Sequence, residues 1–188
     1  MKRSFLLKIC LFAFALSLTA PAFGADDLDD GFDAAQQANA EYFDLYLAPG
    51  IEQQSLNRAL NLPASDRILS GRGSSDELTG NIDALFLRVC SILDMRLYNY
   101  KGSIKVCRDF NQLRSIYERL FDKDLSGQKS FYVFSNNSIY ISADSFKREI
   151  LGHEIAHAII SHYFVVLPPV KVQEVLACYV EYQLRKGD

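Results

Sequence analysis

The sequence predicts an α+β fold, because helical and strand-like patterns occupy different parts of the chain. Apolar and aromatic residues recur at helical spacing through much of the region 32–100. Short runs rich in β-branched and aromatic residues follow Tyr100, and two further helical patterns come after them. We therefore expect one domain over residues 32–188, with a helical N-terminal scaffold in 32–100. Residues 101–188 would form a small sheet with an antiparallel edge and two C-terminal helices.

Residues 1–24 have the features of a secretory signal peptide. Basic residues precede an apolar run from Ile9 to Leu18, and small residues flank the expected cleavage site before Ala25. The run is shorter than the roughly 20 apolar residues that span a bilayer, and no later stretch reaches that length. We expect export to the periplasm or the medium, with no membrane anchor after signal removal.

The charge pattern outside the leader argues against nucleic acid as a partner. The full sequence has a formal net charge of -3, and the leader contains basic but no acidic residues, so the rest of the chain is more acidic. A cluster of basic residues, the footprint expected for a DNA or RNA binder, is missing from the sequence outside the leader. Residues 25–31 are acidic without apolar periodicity and are expected to form a flexible lead-in.

Helices are expected throughout the scaffold. The pattern predicts a helix from Phe32 to about Leu47, ended by the Ala-Pro-Gly at 48–50. A short helix follows near 51–61, and a long apolar helix is expected from about Ile82 to Met95 after a glycine-rich loop.

Strands are expected after the scaffold. GSIKVC, at 102–107, predicts a short strand, and FNQLRSIYERLF, at 110–121, predicts an amphipathic helix. SFYVFS and SIYISA predict two strands joined across Asn136-Asn137, since asparagine tolerates the positive φ of tight hairpin turns.

Two helices are expected at the C-terminal end. The first runs from about Ser145 to about Tyr163 and would be capped by Asp144. Pro168 and Pro169 break the chain, and the second helix covers about 170–185.

Three cysteines follow the leader, namely Cys90, Cys107 and Cys178. If two of them pair in an oxidising compartment, one thiol is left over. A bridge between Cys90 and Cys107 is the preferred pairing. Three buried thiols that act as small apolar side chains are an equal alternative.

The sequence HEIAH, at 153–157, predicts a metal site. Residues four apart lie on one face of a helix, so the imidazoles of His153 and His157 can converge on one ion. Glu154 is offset by about 100°, which places it beside the metal as a base for a water molecule. A catalytic zinc ion keeps three protein ligands and one open position.

The third ligand is expected from the final helix. If the two helices form an antiparallel hairpin, His157 and Glu174 lie about 9 Å and about 6 to 7 Å from the break. Glu181 lies roughly 16 Å from it and is better placed to orient a histidine. Cys178 shares the face of Glu174, and thiolate is a strong zinc ligand. Glu174 is preferred, with Glu181 and Cys178 as alternatives.

HEIAHAII followed by QEVLACYVEY resembles the gluzincin class of zinc metallopeptidases, in particular the small exported peptidase-MA-like families. The resemblance implies a zincin-like fold, zinc bound by His153, His157 and Glu174, and Glu154 as the catalytic base. It also implies that NSIYISA is an edge strand that pairs with an extended peptide or protein substrate. Cys178 stands where these families usually have a second acidic residue.

Three functions therefore follow from the sequence. The first is an exported zinc-dependent metallopeptidase in which Glu154 is the general base. The second is a non-catalytic periplasmic module with a structural zinc site between the last two helices, closed by four protein ligands. The third is an interaction protein without metal. Tyr179 and Tyr182 are candidate hydrogen-bond donors to a developing oxyanion, although core packing is the commoner role of such residues.

Overall fold

The computed structural model describes residues 30–63, 66 and 77–186, and these residues form an α+β fold. The predicted signal peptide, residues 25–29 of the predicted lead-in and most of the glycine-rich loop lie outside the described residues. None of the described helices is both long enough and apolar enough to cross a bilayer.

A mixed five-stranded sheet lies at the centre of the described fold, with strand order β1-β2-β3-β5-β4. The central pairs, β2 with β3 and β3 with β5, are parallel, whereas β1 and β4 are antiparallel edge strands. The strands are β1 Gln36–Asn39, β2 Phe43–Leu47, β3 Gly102–Cys107, β4 Ser130–Val133 and β5 Ser138–Ser142. The predicted hairpin joins β4 to β5, and Asn137 has the expected positive φ of 49°.

The helix predicted from Phe32 to Leu47 is wrong, because this region forms β1 and β2. Phe43, Leu45 and Leu47 are fully buried, and they alternate with partly exposed residues at the period of a strand. The turn before β2 is held by Asp83, whose carboxylate accepts hydrogen bonds from the backbone N–H groups of residues 41 and 42 at 2.9 and 3.1 Å. The region is therefore part of the sheet and not a helical scaffold.

The described residues also contain five α-helices, which are α1 Gln53–Leu60, α2 Glu77–Leu93, α3 Phe110–Phe121, α4 Arg148–Tyr163 and α5 Val170–Lys186. The helices predicted at 51–61, 110–121 and 170–185 are confirmed, whereas α2 begins five residues earlier than expected. Asp144 does not cap α4, because it lies in a short 3-10 turn that precedes the helix. The N-cap of α4 is Lys147.

The helices cover the two faces of the sheet unequally. The larger core contains buried residues of α1, α2, α4 and α5, and a smaller cluster packs beneath α3. Gly152 allows α5 to approach α4 closely, since a Cβ at this position would lie 2.2 Å from Leu184 Cδ1. This close packing fixes α4 and α5 relative to each other, and both helices contribute to the site described below.

The predicted bridge between Cys90 and Cys107 is wrong. Both residues are buried free thiols, and they belong to different cores: Cys90 to the larger one and Cys107 to the smaller cluster. Burial raises the pKa of Cys90 to about 11 and that of Cys107 to about 12, so both remain protonated at neutral pH. Cys178 is exposed, so the alternative of three buried thiols is correct for two of them.

The acidic lead-in is ordered at its end. The carboxylate of Asp30 is buried and accepts hydrogen bonds from Phe32 N at 2.8 Å and Tyr140 Oη at 2.5 Å. It also pairs with Lys105 Nζ. Asp30 therefore anchors the end of the lead-in in the fold, because Lys105 neutralises the charge of its buried carboxylate.

Candidate metal centre

The two motif histidines converge as their spacing predicts. Both lie on α4, and the Nε2 atoms of His153 and His157 are 3.2 Å apart. Each ring is largely buried, with side-chain exposures of 19% and 15%. The α4 helix itself is buried on most of its surface, because the sheet, α2 and α5 surround it. The packing around α4 thus fixes the helix that carries both imidazoles.

The third group comes from α5. Glu174 Oε1 lies 3.4 Å from His157 Nε2, and Glu174 Oε2 lies 3.7 Å from His153 Nε2. The antiparallel arrangement of α4 and α5 brings these residues together at similar depth, as the helix-hairpin argument predicts. His153, His157 and Glu174 offer three ligand atoms that all lie within 4.8 Å of one another.

These separations fit a zinc ion. Zinc–nitrogen and zinc–oxygen bonds of about 2.0 to 2.2 Å in a tetrahedral arrangement separate neighbouring ligand atoms by about 3.3 to 3.5 Å. The Nε2 atoms of His153 and His157 are 3.2 Å apart and His157 Nε2 lies 3.4 Å from Glu174 Oε1, which is close to that value. The distance of 3.7 Å from His153 Nε2 ends on the other carboxylate oxygen, Oε2. Two imidazoles and a carboxylate also match the chemistry of three-ligand zinc sites.

Glu154 follows His153 on α4, is buried, and interacts electrostatically with His153 and Glu174. Its Oε1 accepts a hydrogen bond of 2.7 Å from Ser130 Oγ at the start of β4. Burial raises the pKa of Glu154, although His153 and the Ser130 hydroxyl oppose the shift. A carboxylate with a raised pKa is a better proton acceptor than an ordinary surface glutamate. Ser130 was not among the residues singled out from the sequence, since only the sheet brings it to α4.

Glu181 approaches the other nitrogen of His153. Its Oε2 lies 3.5 Å from His153 Nδ1, and its other oxygen pairs with Arg185. Among the described side chains, His153 Nδ1 is a buried polar atom that lacks a close hydrogen-bond partner, so this long approach is weak. A carboxylate on the second nitrogen of a ligating histidine fixes the orientation of the ring. The predicted role of Glu181 as an orienting group therefore has a geometric basis.

Cys178 falls on the Glu181 side of His153. Its sulfur groups with His153 and Glu181 within 4.8 Å, whereas His157 and Glu174 form their group with His153 alone. A closed site with four protein ligands would require Cys178 to meet the same ion as His157 and Glu174. The arrangement therefore favours three ligands over four.

The electrostatics of the two histidines differ. Burial and the neighbouring His153 lower the pKa of His157 to about 3, so its imidazole is neutral at pH 7 and can donate a lone pair. Burial also opposes charge on His153, but Glu181 and the other nearby carboxylates outweigh it and raise the pKa of that ring. Burial raises the pKa of Glu174, whereas the contact with His153 lowers that of Glu181. The carboxylates around His153 thus favour a positive charge between the two helices.

The edge strand near the site is β4 and not NSIYISA, the segment that the resemblance predicts. NSIYISA forms β5, which is paired on both sides, with β3 and with β4. The edge next to α4 is β4, and its first residue, Ser130, contacts Glu154. The prediction is wrong because the hairpin returns the chain into the sheet, so the later strand lies inside.

Tyr179 and Tyr182, the candidate hydrogen-bond donors on α5, are 46% and 58% exposed, respectively.

Comparison with family models, with curated proteins and with solved structures found no match for this chain. The function is therefore inferred from the residues of this chain alone.

Proposed function

We propose that this protein is an exported zinc-dependent metallopeptidase with a zincin-like core. The observation that carries the proposal is the convergence of three ligand atoms, from His153, His157 and Glu174, beside the buried carboxylate of Glu154. The resemblance of HEIAH and the following QEVLACYVEY to the gluzincin class supports the same assignment. Export follows from the predicted signal peptide.

Three side chains would hold the metal. His153 and His157 each present an Nε2 lone pair, and Glu174 presents a carboxylate oxygen. Glu181 would act through His153 by accepting a hydrogen bond from Nδ1–H if its Oε2 moves in from the present 3.5 Å, which would fix the ring and increase its basicity. A zinc ion held there supplies Lewis acidity that polarises a peptide carbonyl and activates water as the nucleophile.

Glu154 is the general base in this proposal. Its carboxylate takes a proton from the attacking water and returns it to the leaving amine, so no net proton is consumed within the site. The Ser130 hydroxyl restrains one oxygen of Glu154 at 2.7 Å and leaves the other oxygen to accept the proton. Burial excludes bulk water and raises the pKa of the group towards the working pH.

The substrate is an extended peptide. β4 is an edge strand, so the backbone groups on its outer side are available for pairing with another chain. Ser130 connects this strand to Glu154, which places a paired peptide close to the base. Backbone pairing contributes affinity with little sequence preference.

A structural zinc clip is the second candidate function. It is favoured by one observation, the position of Cys178 within 4.8 Å of ligand atoms of His153 and Glu181. In that case the ion would link α4 to α5, and chelation would unfold the protein. The separate grouping of His157 and Glu174 argues against it.

The test is hydrolysis of a fluorogenic peptide library and of casein by residues 25–188 loaded with zinc. Glu154→Gln should lose activity and keep its zinc. The matched control is Glu149→Gln, which makes the same chemical change in the first turn of α4 and should keep both. Cleavage by Glu154→Gln at the unmutated rate would remove Glu154 from the mechanism. A zinc-loaded protein that cleaves none of these substrates and unfolds on chelation would support the structural clip.

A further inference from the structure

The corner between α4 and α5 carries an apolar tip, which we define as residues 163–167. Its side chains are Tyr163, Phe164, Val165, Val166 and Leu167, each exposed by 36% or more. Val165 is 103% exposed and Val166 is 82% exposed, so both protrude fully into solvent. Five consecutive exposed apolar residues are unusual for a monomeric protein in water, and such patches mark interaction sites.

An apolar stripe continues from the tip along α5. It consists of Val172, Val175, Tyr179 and Tyr182, whose spacing of three, four and three residues aligns them along one side of a helix. Their exposures lie between 45% and 68%. The residues that α5 buries in the core, among them Ala177 and Val180, occupy a different side of the helix. Thus α5 is apolar on two sides, and only one of them is covered.

The charges around the tip and stripe are predominantly positive. In the sequence from 162 to 186 the only acidic residues are Glu174 and Glu181, and both approach the histidines of the metal centre. The basic residues Lys171, Arg185 and Lys186 are exposed. Lys186 Nζ lies 5.9 Å from the centre of the Tyr182 ring, which places a positive charge directly beside the stripe. Because Arg185 pairs with Glu181, the local positive charge comes from Lys171 and Lys186, in a sequence with a formal net charge of -3.

We propose that the tip and stripe dock on the surface of an anionic phospholipid bilayer. The tip enters the boundary between headgroups and acyl chains, and the stripe lies along the interface. Amphipathic helices bind membranes in this way, with an apolar side buried at shallow depth and basic residues near the phosphates. Tyr163, Tyr179 and Tyr182 suit this depth, because tyrosine rings have an apolar body and a polar hydroxyl.

Hydrogen bonding favours a bilayer over a protein groove. Protein interfaces carry about one hydrogen bond per 100 to 200 Å², whereas the five side chains of the tip offer only the hydroxyl of Tyr163. The carbonyls of Pro168 and Pro169 accept from Gln173 Nε2 and Val172 N, each at 2.8 Å, so they are satisfied within the protein. The acyl chains of a bilayer form no hydrogen bonds, so the other side chains of the tip need no hydrogen-bonding groups to bind there.

The backbone of the tip limits the depth of insertion. The structure describes no backbone hydrogen bond from the N–H groups of residues 165–167, and such groups are costly in hydrocarbon. Headgroup phosphates and carbonyls can accept these hydrogen bonds. At about 100° per residue, the stripe lies roughly 80° to 160° around α5 from Glu174, so docking leaves the metal centre uncovered. The proposal does not depend on whether the protein is a peptidase.

The test is flotation of residues 25–188, the form expected after signal removal and one that includes every described residue, with lipid vesicles at low ionic strength. One set contains equal parts of phosphatidylcholine and phosphatidylglycerol, and the other contains phosphatidylcholine alone. We expect binding to the anionic vesicles, weaker binding to the neutral ones, and release by added salt. The double variant Val165→Ser/Val166→Ser should bind about tenfold more weakly or worse.

Matched lysine variants test the contribution of positive charge to vesicle binding. Lys171→Gln/Lys186→Gln should weaken binding by about fivefold for each lysine. Lys123→Gln/Lys129→Gln makes the same change in overall charge at exposed residues outside the surface and should have a much smaller effect. Unchanged thermal unfolding would show that all variants fold.

Two results would overturn the proposal. One is failure of the unmutated protein to float with anionic vesicles at low ionic strength. The other is equal binding of the Val165→Ser/Val166→Ser variant. A concentration-dependent dimer in sedimentation velocity that this variant abolishes, without vesicle binding, would assign the surface to a second copy of the chain.

Discussion

Two buried polar clusters in this protein differ in how their charges are balanced. In the Asp30 cluster, formed by Asp30, Lys105 and Tyr140, one carboxylate meets an ammonium, a phenol and a backbone N–H. The other cluster surrounds the proposed zinc site, and we call it the metal cluster. It contains three carboxylates and two imidazoles, from His153, His157, Glu154, Glu174 and Glu181.

The imbalance distinguishes structural from functional polar groups. Buried polar groups usually have their hydrogen bonds satisfied, and those of Asp30 are. His153 Nδ1, in contrast, lacks a close partner among the described residues, and Glu174 approaches the histidines at 3.4 and 3.7 Å, beyond ordinary hydrogen-bond length. The first cluster connects the lead-in to the sheet. The second one has the spacing and charge to bind a cation.

The largest expected effect is loss of zinc from the metal cluster. His157→Ala removes one of three ligands and should weaken zinc binding by about a thousandfold or more, because only two ligands remain. Competition with a chromophoric chelator measures the affinity. His162→Ala is the matched control, since this exposed histidine contacts the backbone carbonyl of Ala158 instead of the cluster. Equal zinc affinity in the two variants would contradict the ligand assignment.

The next largest effect is expected on the stability that the Asp30 cluster provides. Asp30→Asn leaves Lys105 without its buried partner and should lower the free energy of unfolding by about 3 kcal/mol at neutral pH. Urea denaturation measures the change. Asp33→Asn, a change of the same type three residues away, should cost much less. Zinc affinity should be the same in both variants, because neither residue approaches the metal cluster.

The contribution of Asp30 to stability should depend on pH. Burial raises the pKa of Asp30, but the hydrogen bonds from Lys105 and Tyr140 outweigh it and hold the pKa below its ordinary value. A carboxyl whose pKa is lower in the folded state stabilises the fold above the pKa of the unfolded chain, about 4. This contribution is lost as the pH falls through the folded-state pKa. The stability difference between Asp30→Asn and the unmutated protein should therefore shrink in acid, and a constant difference would contradict this account.

A smaller effect is expected for the residue that orients His153. Glu181→Gln should weaken zinc binding by about 10- to 100-fold without abolishing it, since the three ligands remain. Arg185→Gln, which removes the partner of Glu181 on its outer side, should change zinc affinity less. If Glu181→Gln abolished binding as completely as His157→Ala, Glu181 would be a ligand and the preference for Glu174 would be wrong.

The α+β class, the hairpin at Asn136-Asn137 and the convergence of His153 with His157 could all be predicted, because each depends on local spacing. The strands β1 and β2 were not predicted, although Phe43, Leu45 and Leu47 alternate at the period of a strand, because this stretch is short and the apolar and aromatic residues around it also recur at helical spacing. Parallel pairing with β3, about 60 residues later, selects the strand. The same limit applies to Ser130, since only the pairing of β4 at the edge of the sheet brings its hydroxyl to Glu154.

The central claim is that His153, His157 and Glu174 form a three-ligand zinc site. The most direct test is the zinc content of residues 25–188 purified without added metal or chelator, with Glu174→Ala and Cys178→Ala purified in parallel. We predict about one zinc ion per chain in the unmutated protein and in Cys178→Ala, and loss of zinc in Glu174→Ala. Zinc-free unmutated protein that takes up no zinc on reconstitution, or zinc retained in Glu174→Ala and lost in Cys178→Ala, would contradict the claim.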